Sequence, residues 1–377
     1  MKIAIDIRNI GKGRTGDEVV FFELVKNLAL IDDNNDYKLL IDDRSDDEIT
    51  EVENNLGITN KNNFTVVQLG SGNKFVWNGW KIAKYCVDEK IDIYHTQYII
   101  PFFIPVTTKI VTHIHDVSFK AHKELISKKD AFFLNRLIPR AVKKSDKVIA
   151  VSQFTKDEIV KYYNVPADKI SVIYNASSLV EVNTDEKSVR EKYQLPMKYV
   201  LALGTMQPRK NIPFLVEAFA GIANEVSDTY LVLAGKKSHN FDQSIEKIIK
   251  QYPQLKDKII FTDYIDEDDK FLVYKMADVF AFPSLYEGFG VPILEAFTAG
   301  TAVIASDIAP HKEVAGDSAL YFSPIDIDQC KKMLYDALVN DRIRNDVLAV
   351  ATQQKKQFSW YKSAQKLRQL YENMYCK

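Results

Sequence analysis

Short apolar runs alternate with amphipathic stretches along the first half of the chain. The runs have the length and composition of buried strands, and the stretches between them carry apolar side chains at helical spacing. Strands are predicted at residues 2–8, 37–41, 64–69, 91–95, 109–114, 147–151 and 170–174, and helices at 17–30, 46–56, 74–88, 130–144 and 154–163. Strand–helix alternation of this kind predicts a doubly wound parallel sheet.

The alternation pauses once and then begins again. Residues 175–178 are polar and residues 181–192 are rich in charge, which is typical of a linker. Further strands are predicted at 199–203, 230–234, 258–261, 279–282 and 302–305, and an amphipathic helix at 357–375. We therefore expect two α/β domains, residues 1–178 and residues 179–357, followed by a last helical segment at 358–377.

Charge and cysteine content exclude several classes of protein. The 50 Lys and Arg residues balance 51 Asp and Glu residues, so there is no overall attraction to nucleic acid. Cys86, Cys330 and Cys376 are widely separated, which argues against a disulfide framework or zinc site and favours a reduced compartment. No apolar run approaches the roughly 18 residues of a membrane span, and the first residues resemble a strand rather than a signal peptide. We expect a soluble, cytoplasmic protein.

Chemistry is most concentrated after the predicted strand at 279–282. Gly288 and Gly290 allow a sharp loop, and a helix begins directly after it, so backbone N–H groups are available to an anion. Glu287 lies in the loop and Glu295 about one turn into the helix, and each carboxylate could accept hydrogen bonds from a vicinal diol. An anion site beside two diol acceptors fits a nucleotide sugar. Taken alone, the glutamates are equally well explained as a helix cap and a solvated helix residue.

A second candidate segment follows the strand at 199–203. Arg209 and Lys210 lie at its carboxyl end and at the start of the next helix, where they could neutralise a diphosphate. An adjacent Arg–Lys pair is otherwise an ordinary surface feature.

Residues 203–211 and 284–301 together resemble the donor-site signature of the retaining family-4 glycosyltransferases of the GT-B fold, the mannosyltransferases among them. The resemblance implies two doubly wound Rossmann-like domains facing across a cleft. Residues 1–178 would be the acceptor domain and residues 179–357 the nucleotide-sugar donor domain. It also implies that the segment at 358–377 crosses back onto the first domain. The pattern of the chain alone fits a helix packed on its own domain equally well.

The resemblance implies a role for each matching residue. Glu287 contacts the transferred sugar, Glu295 holds the ribose hydroxyls, and Arg209 and Lys210 bind the phosphates. His115 follows a strand end, where it could be a structural hydrogen-bonder, and the resemblance has it face the donor sugar and the acceptor. Glu287, His115, Arg209 and Lys210 are the catalytic candidates, and the remaining donor-binding candidates are Gly16, Gly204, Gly288, Phe289, Gly290 and Val291.

One segment supports a rival function. Residues 11–16 match Gly-x-Gly-x-x-Gly after a strand, and Asp42 ends the next strand, which is the outline of a dinucleotide site. An NAD-dependent sugar-modifying enzyme is therefore the alternative, although Asp42 lies rather far along the chain. By resemblance the same segment is a phosphate-facing loop with Gly16 at the matching position, but Asp17 and Glu18 would compete with a diphosphate. A sugar-nucleotide-binding homologue without turnover is the third possibility.

The resemblance implies a retaining hexosyltransferase without cofactor or metal. It would move mannose or glucose from a nucleotide diphosphate sugar to a hydroxyl of a glycan or lipid-linked acceptor, and GDP-mannose is expected ahead of UDP-glucose. The Asp-x-Asp segments at 266–268 and 326–328 each begin a helical segment, so helix capping explains them better than a metal.

Basic residues are dense between residues 120 and 144. Arg136, Arg140, Lys143 and Lys144 share one face of a predicted helix, opposite its apolar stripe. They predict contact with an anionic surface, either the phospholipid headgroups of the inner membrane face or a lipid-diphosphate acceptor. An ordinary solvated helix is the alternative.

Overall fold

The structure, a computed structural model, describes the chain except for residues 13–15, 71–72, 74–75, 123–127, 183, 236–240 and 377, and except for the side chains of 128–133. It divides the chain into two compact units. Unit 1 comprises Met1–Asn175 and Phe358–Lys377, and unit 2 comprises Ala176–Gln357.

Unit 1 is built on a parallel sheet with the strand order β3-β2-β1-β4-β5-β6-β7. Its strands are β1 (Lys2–Asp6), β2 (Asp36–Ile41), β3 (Phe64–Gln68), β4 (Ile93–Gln97), β5 (Lys109–Ile114), β6 (Lys147–Ala150) and β7 (Ile170–Val172). Its helices before residue 175 are α1 (Asp17–Ile31), α2 (Asp46–Leu56), α3 (Ile82–Asp88), α4 (Ser118–Ala121), α5 (Lys128–Lys144) and α6 (Gln153–Tyr163). The strand order reverses direction between β1 and β4, which makes that pair the topological switch point.

Unit 2 repeats the design with the order β10-β9-β8-β11-β12-β13, again with parallel neighbours. Its strands are β8 (Tyr199–Leu203), β9 (Tyr230–Ala234), β10 (Ile259–Asp263), β11 (Val279–Phe282), β12 (Ala302–Ser306) and β13 (Leu320–Phe322). Its helices are α7 (Glu186–Tyr193), α8 (Ile212–Ile222), α9 (Ser244–Gln251), α10 (Glu267–Lys275), α11 (Val291–Ala299), α12 (Ala309–Ala315), α13 (Ile327–Val339) and α14 (Asp341–Gln354). The switch point here is between β8 and β11.

The central strands explain the continuous apolar runs of the sequence. Every residue of β11 and β12 is buried, because crossover helices cover both faces of a parallel sheet. The two parallel α/β sheets confirm the predicted fold class.

The last helix, α15 (Trp360–Tyr375), belongs to unit 1 and packs against α1. Arg368 donates from its guanidinium to the carbonyl of Ile31 at 2.6 Å. Tyr371 is fully buried, and its hydroxyl lies 2.6 Å from His95 Nδ1 on β4. The helix is therefore part of the core of unit 1.

The structure differs from the predicted elements in three places. The charged segment at 181–192 is not all linker, because it contains most of α7, whose first turn is capped by Asp185 accepting from the backbone N–H of Ser188. The strand β13 was not predicted, since its three residues are too few to produce a pattern. Residues 74 and 75 of the helix predicted at 74–88 lie outside the described residues. The described part runs through a π-helical turn at Trp77–Lys81 before α3.

In the part of the chain that the structure describes, no helix has the length and apolar content that crossing a membrane requires.

Candidate active site

The loops after β8 and β11 meet at the switch point of unit 2. They are joined by a backbone hydrogen bond of 2.8 Å from Leu285 N–H to the carbonyl of Arg209. The ends of β8 and β9 below these loops are closely packed. A Cβ on Gly235, at the end of β9, would lie 2.0 Å from the carbonyl oxygen of Gly204, at the end of β8. Gly235 was not singled out from the sequence, yet this approach excludes any side chain there. Gly204 itself was predicted, and it lines a small pocket together with Lys210 and Phe282.

Glu287 is clamped between the two cations of the first loop. Lys210 Nζ donates to Glu287 Oε1 at 2.6 Å, and Arg209 lies 2.9 Å from Oε2. The carboxylate is 9% exposed. Burial alone would raise the pKa of Glu287, but Arg209 and Lys210 outweigh it and hold the pKa well below its ordinary value. Glu287 is therefore a fixed anion, which a helix cap would not explain.

His311, near the start of α12, completes this cluster and was not predicted. Its ring stacks on Phe282 with centroids 4.6 Å apart, and Lys210 Nζ lies 4.8 Å from the centre of the same Phe282 ring. His311 Nδ1 lies 3.0 Å from the carbonyl of Ser306, which can only accept, so the ring proton is on Nδ1. Burial lowers the pKa of His311 to about 4, and the opposing effect of Glu287 does not reverse this. Only its place after the end of β12 could have indicated it.

The glycine loop leads directly into α11. Gly290 occupies the N-cap position with φ 137°, a conformation that L side chains rarely adopt. Gly288 and Phe289 are buried, and Val291 is half-buried at the first helical position. Pro292 has no N–H, and the N–H of Ile293 donates to the carbonyl of Gly290 at 3.0 Å. Of the first three helical residues, Val291 is therefore the one whose N–H this end of α11 can offer to an anion.

Glu295 is buried rather than solvated. It is 7% exposed and accepts hydrogen bonds from Lys270 Nζ at 2.7 Å and from Tyr274 OH at 2.8 Å, both on α10. Neither partner was foreseen, because nothing in the local pattern of α10 connects it with α11.

Two predicted residues lie in unit 1, at the carboxyl edge of its sheet. Gly16 is exposed at the N-cap of α1, and His115 follows β5. Gln97, at the end of β4, connects these two places: its Oε1 lies 2.9 Å from His115 Nε2, and its Nε2 donates to the carbonyl of Asp17 at 3.3 Å. Burial lowers the pKa of His115, although Asp17 and Asp116 oppose this effect. Gln97 was missed, and its position at a strand end was the available signal.

The acids at the start of α1 are engaged within the loop. Glu18 accepts a hydrogen bond from Gly11 N–H at 2.7 Å, and Asp17 accepts one from Asn9 Nδ2 at 3.3 Å. The middle of the Gly-x-Gly-x-x-Gly segment, residues 13–15, lies outside the described residues. Asp42, the acid that a dinucleotide ribose would need, forms ion pairs with Lys12 and Arg44.

The two Asp-x-Asp segments begin helices, as predicted. Asp326 caps α13 by accepting from the backbone N–H of Gln329 at 3.0 Å. Asp266 occupies the N-cap of α10, where its carboxylate accepts a hydrogen bond of 2.7 Å from Lys192 instead of capping the helix.

The predicted residues thus form one group in each unit. Gly204, Arg209, Lys210 and the segment from Glu287 to Glu295 are brought together in unit 2, and Gly16 and His115 lie along the same sheet edge in unit 1.

Comparisons with known proteins assign the chain to a family. Residues 15–179 match the model of Glycosyltransferase Family 4, and residues 183–355 match that of Glycosyl transferases group 1. The O-antigen chain mannosyltransferase B of Escherichia coli is 30% identical over 375 residues, which cover 96% of each chain. The serotype-specific mannosyltransferase WbdA of Escherichia coli is 30% identical over 239 residues, 62% of this chain but only 29% of that protein.

A solved structure supports the same assignment at the level of fold. The sucrose-phosphate synthase of Thermosynechococcus elongatus matches with a TM-score of 0.76 and 17% identity, covering 100% of this chain and 99% of that one. The family models, the relative of equal length and this likeness agree with one another. The chain belongs to the family-4 glycosyltransferases, which have the GT-B fold.

Proposed function

We propose that the protein is a retaining glycosyltransferase that moves a hexose from a nucleotide diphosphate sugar to an acceptor hydroxyl. The observation that carries this proposal is the Glu287 carboxylate, held by Arg209 and Lys210 at the switch point of unit 2. Two cations and one carboxylate lie together there, a combination that suits a diphosphate beside a sugar. The same carboxylate is a fixed acceptor for sugar hydroxyls, so phosphate and sugar would be bound side by side.

In the reaction, the bond between the anomeric carbon and the diphosphate oxygen breaks, and the acceptor oxygen bonds to that carbon on the same face. The proton of the acceptor hydroxyl passes to the departing diphosphate. Negative charge grows on the diphosphate as the bond breaks, and Arg209, Lys210 and the N–H of Val291 at the start of α11 stabilise it. Arg209 and Lys210 lower the pKa of Glu287 and so favour its carboxylate form, which suits a residue that positions the sugar.

The remaining candidates take the roles that the family resemblance implies. Glu295 accepts from the ribose hydroxyls of the donor, and Gly204, Gly288, Phe289 and Gly290 bring backbone close to it. For unit 1, the resemblance implies that His115 faces the sugar and that Gly16 belongs to the phosphate-facing loop.

The two Escherichia coli relatives are mannosyltransferases by name, and one is named for the O-antigen chain. That likeness supports mannose as the transferred sugar and GDP-mannose as the donor, with UDP-glucose second. It also supports a polysaccharide or lipid-linked glycan as the acceptor. The proposed location is the cytoplasm, at the inner membrane face.

The basic face of α5 supports a peripheral membrane contact, but Arg140 does not belong to its exposed residues. Arg136, Lys143 and Lys144 are exposed, but Arg140 is half-buried and donates to the carbonyls of Ile100, Pro101 and Phe102. Arg140 therefore holds the adjoining loop, whose Phe103 side chain is 70% exposed. Three exposed cations on the helix that anchors this loop suit an anionic lipid surface, at about 1 kcal/mol for each cation. Lys123, Lys128 and Lys129, which belong to the same basic stretch, fall outside the described side chains.

A thermal-shift screen with GDP-mannose, UDP-glucose and NAD tests the proposal. Saturation with the true donor at a hundred times its dissociation constant stabilises the protein by about 2.7 kcal/mol. We expect the largest shift with GDP-mannose and none with NAD. Donor-dependent formation of glycosylated product then separates an enzyme from a sugar-nucleotide-binding homologue without turnover. Stabilisation by NAD alone would overturn the proposal in favour of a dinucleotide enzyme.

A further inference from the structure

Both oxygens of the Glu295 carboxylate are held by one face of α10. Lys270 donates to Oε1 and Tyr274 to Oε2. The two donors are four residues apart, so they lie on the same face of that helix. A carboxylate offers about four lone-pair positions, and these contacts use two of them. The other two remain for a pair of ligand hydroxyls.

Lys270 is buried in a way that lysine seldom tolerates without a partner. Its side chain is 16% exposed. Burial alone would lower the pKa of Lys270, but Glu295 and Glu267 raise it. Glu267 lies 3.6 Å away and is 68% exposed, so solvent screens that pair. Glu295 is therefore the principal partner of the Lys270 ammonium.

The other donor is anchored from several sides. Tyr274 is fully buried, its ring meets Phe280 edge-on with centroids 5.2 Å apart, and its backbone carbonyl accepts from Thr301 Oγ1 at 2.6 Å. Thr301 directly follows the glycine that ends α11. These contacts fix α10 against α11, so Lys270 reaches Glu295 from a rigid base.

We propose that Lys270 is a positioning residue that orients Glu295 toward the ribose of the donor nucleotide. The inference rests on the proposed function. By orienting Glu295, Lys270 would increase the preference of the protein for a ribonucleotide over a nucleotide without the 2′ and 3′ hydroxyls. A carboxylate already locked by Lys270 and Tyr274 loses little conformational freedom when it accepts the diol. A carboxylate that rotates freely would have to be ordered at binding, at the expense of affinity.

Calorimetric titration of the full chain with GDP and with 2′,3′-dideoxy-GDP tests this, with UDP and its dideoxy form in parallel. The wild type should bind the ribonucleotide about tenfold or more tightly than the dideoxy form, because the hydroxyls donate to a charged acceptor. Lys270→Met should reduce this ratio to about threefold or less, with binding of the dideoxy form unchanged. Lys270→Arg should restore part of the ratio. A circular dichroism melt shows whether each variant is folded.

Lys275→Met is the matched control. Lys275 is on the same helix, but it pairs at 3.8 Å with Glu181 and at 3.9 Å with Glu186, so the ratio should stay at the wild-type value. A folded Lys270→Met variant that discriminates as well as the wild type overturns the role of Lys270 alone. A wild type that binds both forms equally refutes ribose recognition while leaving diphosphate binding standing. A wild type that binds neither diphosphate overturns the proposed function, and this inference with it.

Discussion

Lys210 Nζ lies 2.6 Å from Glu287 Oε1, although 77 positions of sequence separate the two residues. The cation and the anion that the sequence assigned to separate parts of a donor are bonded to each other. On the proposed function, a donor diphosphate competes with Glu287 for Lys210 and Arg209, and the sugar competes with these two cations for the carboxylate oxygens.

Changing Glu287→Gln should leave the protein folded and lower kcat by about 10²–10³-fold, because the donor sugar loses an ionised acceptor. Donor-dependent product formation measures kcat, and circular dichroism measures folding. Glu267→Gln is the control, since that side chain is 68% exposed and pairs only loosely with Lys270. Turnover of Glu287→Gln close to that of the wild type would show that Glu287 is not in the reaction site.

Removing either cation, by Arg209→Ala or Lys210→Ala, should cost about 2–4 kcal/mol of transition-state stabilisation, since each faces charge that grows on the leaving diphosphate. The comparison of kcat/KM with the wild type measures this cost, and donor affinity should fall as well. Lys198→Ala is the matched control, because Lys198 precedes β8 at the opposite edge of the sheet and pairs with Asp228 in solvent. Equal kcat/KM in the wild type and both site variants would contradict the assignment.

Stability should fall as the pH is lowered from 6.5 toward 4, in part because of His311. Its pKa is lowered to about 4 in the folded protein against an ordinary value of 6.5, so the unfolded chain binds more protons in that window. His311→Phe keeps an aromatic ring against Phe282 and removes the titration. Urea midpoints at a series of pH values should therefore fall less steeply for the variant. Identical slopes for the two proteins would show that His311 does not titrate as the structure implies.

Activity should survive EDTA. In the proposed reaction Arg209 and Lys210 meet the charge on the leaving diphosphate, and Asp326 of one Asp-x-Asp segment is used in capping a helix. The measurement is the initial rate before and after dialysis against the chelator. Loss of activity with recovery on adding manganese would show that a metal ion takes part.

The wild type should co-sediment with vesicles that contain anionic lipid, and added salt should release it. Charge reversal of Arg136, Lys143 and Lys144 to Glu should abolish co-sedimentation. Arg140 is kept in this variant, because its guanidinium holds the loop at Phe102.

The control for the vesicle experiment is the same reversal in unit 2, at the exposed Lys187, Lys247 and Arg342. Both variants change the net charge equally, so only a specific contact separates them. Equal binding by the two variants, or none by the wild type, would refute the membrane contact.

The strands and loops of the site could be predicted from the sequence, because each is encoded by residues that are close together in the chain. β8, β9 and β11 begin and end as predicted, since a strand buried on both faces is apolar throughout. The glycine loop and the start of α11 were equally clear, because Gly290 and Pro292 act within one turn. By contrast, α7 is a short charged helix whose stability depends on its cap and on Tyr193, and its composition resembles a linker.

The partners of the site residues could not be predicted, because they come from distant parts of the chain. Nothing near Glu295 indicates that Lys270 and Tyr274 would hold it, and nothing near His115 indicates Gln97. His311 is similar, since its contact with Phe282 depends on how α12 packs beyond β12. Periodicity describes one element at a time, whereas these contacts arise from the packing of several.

The position of α15 in unit 1 has a consequence for the order of events during synthesis. Domains generally fold from the N-terminus as the chain emerges, but unit 1 receives Tyr371 and Arg368 only after all of unit 2 has been translated. Until then, the parts of α1 and His95 that α15 covers are open to water and to other nascent chains. A translational stop anywhere in unit 2 would therefore damage the unit made before it, not only the unit being made.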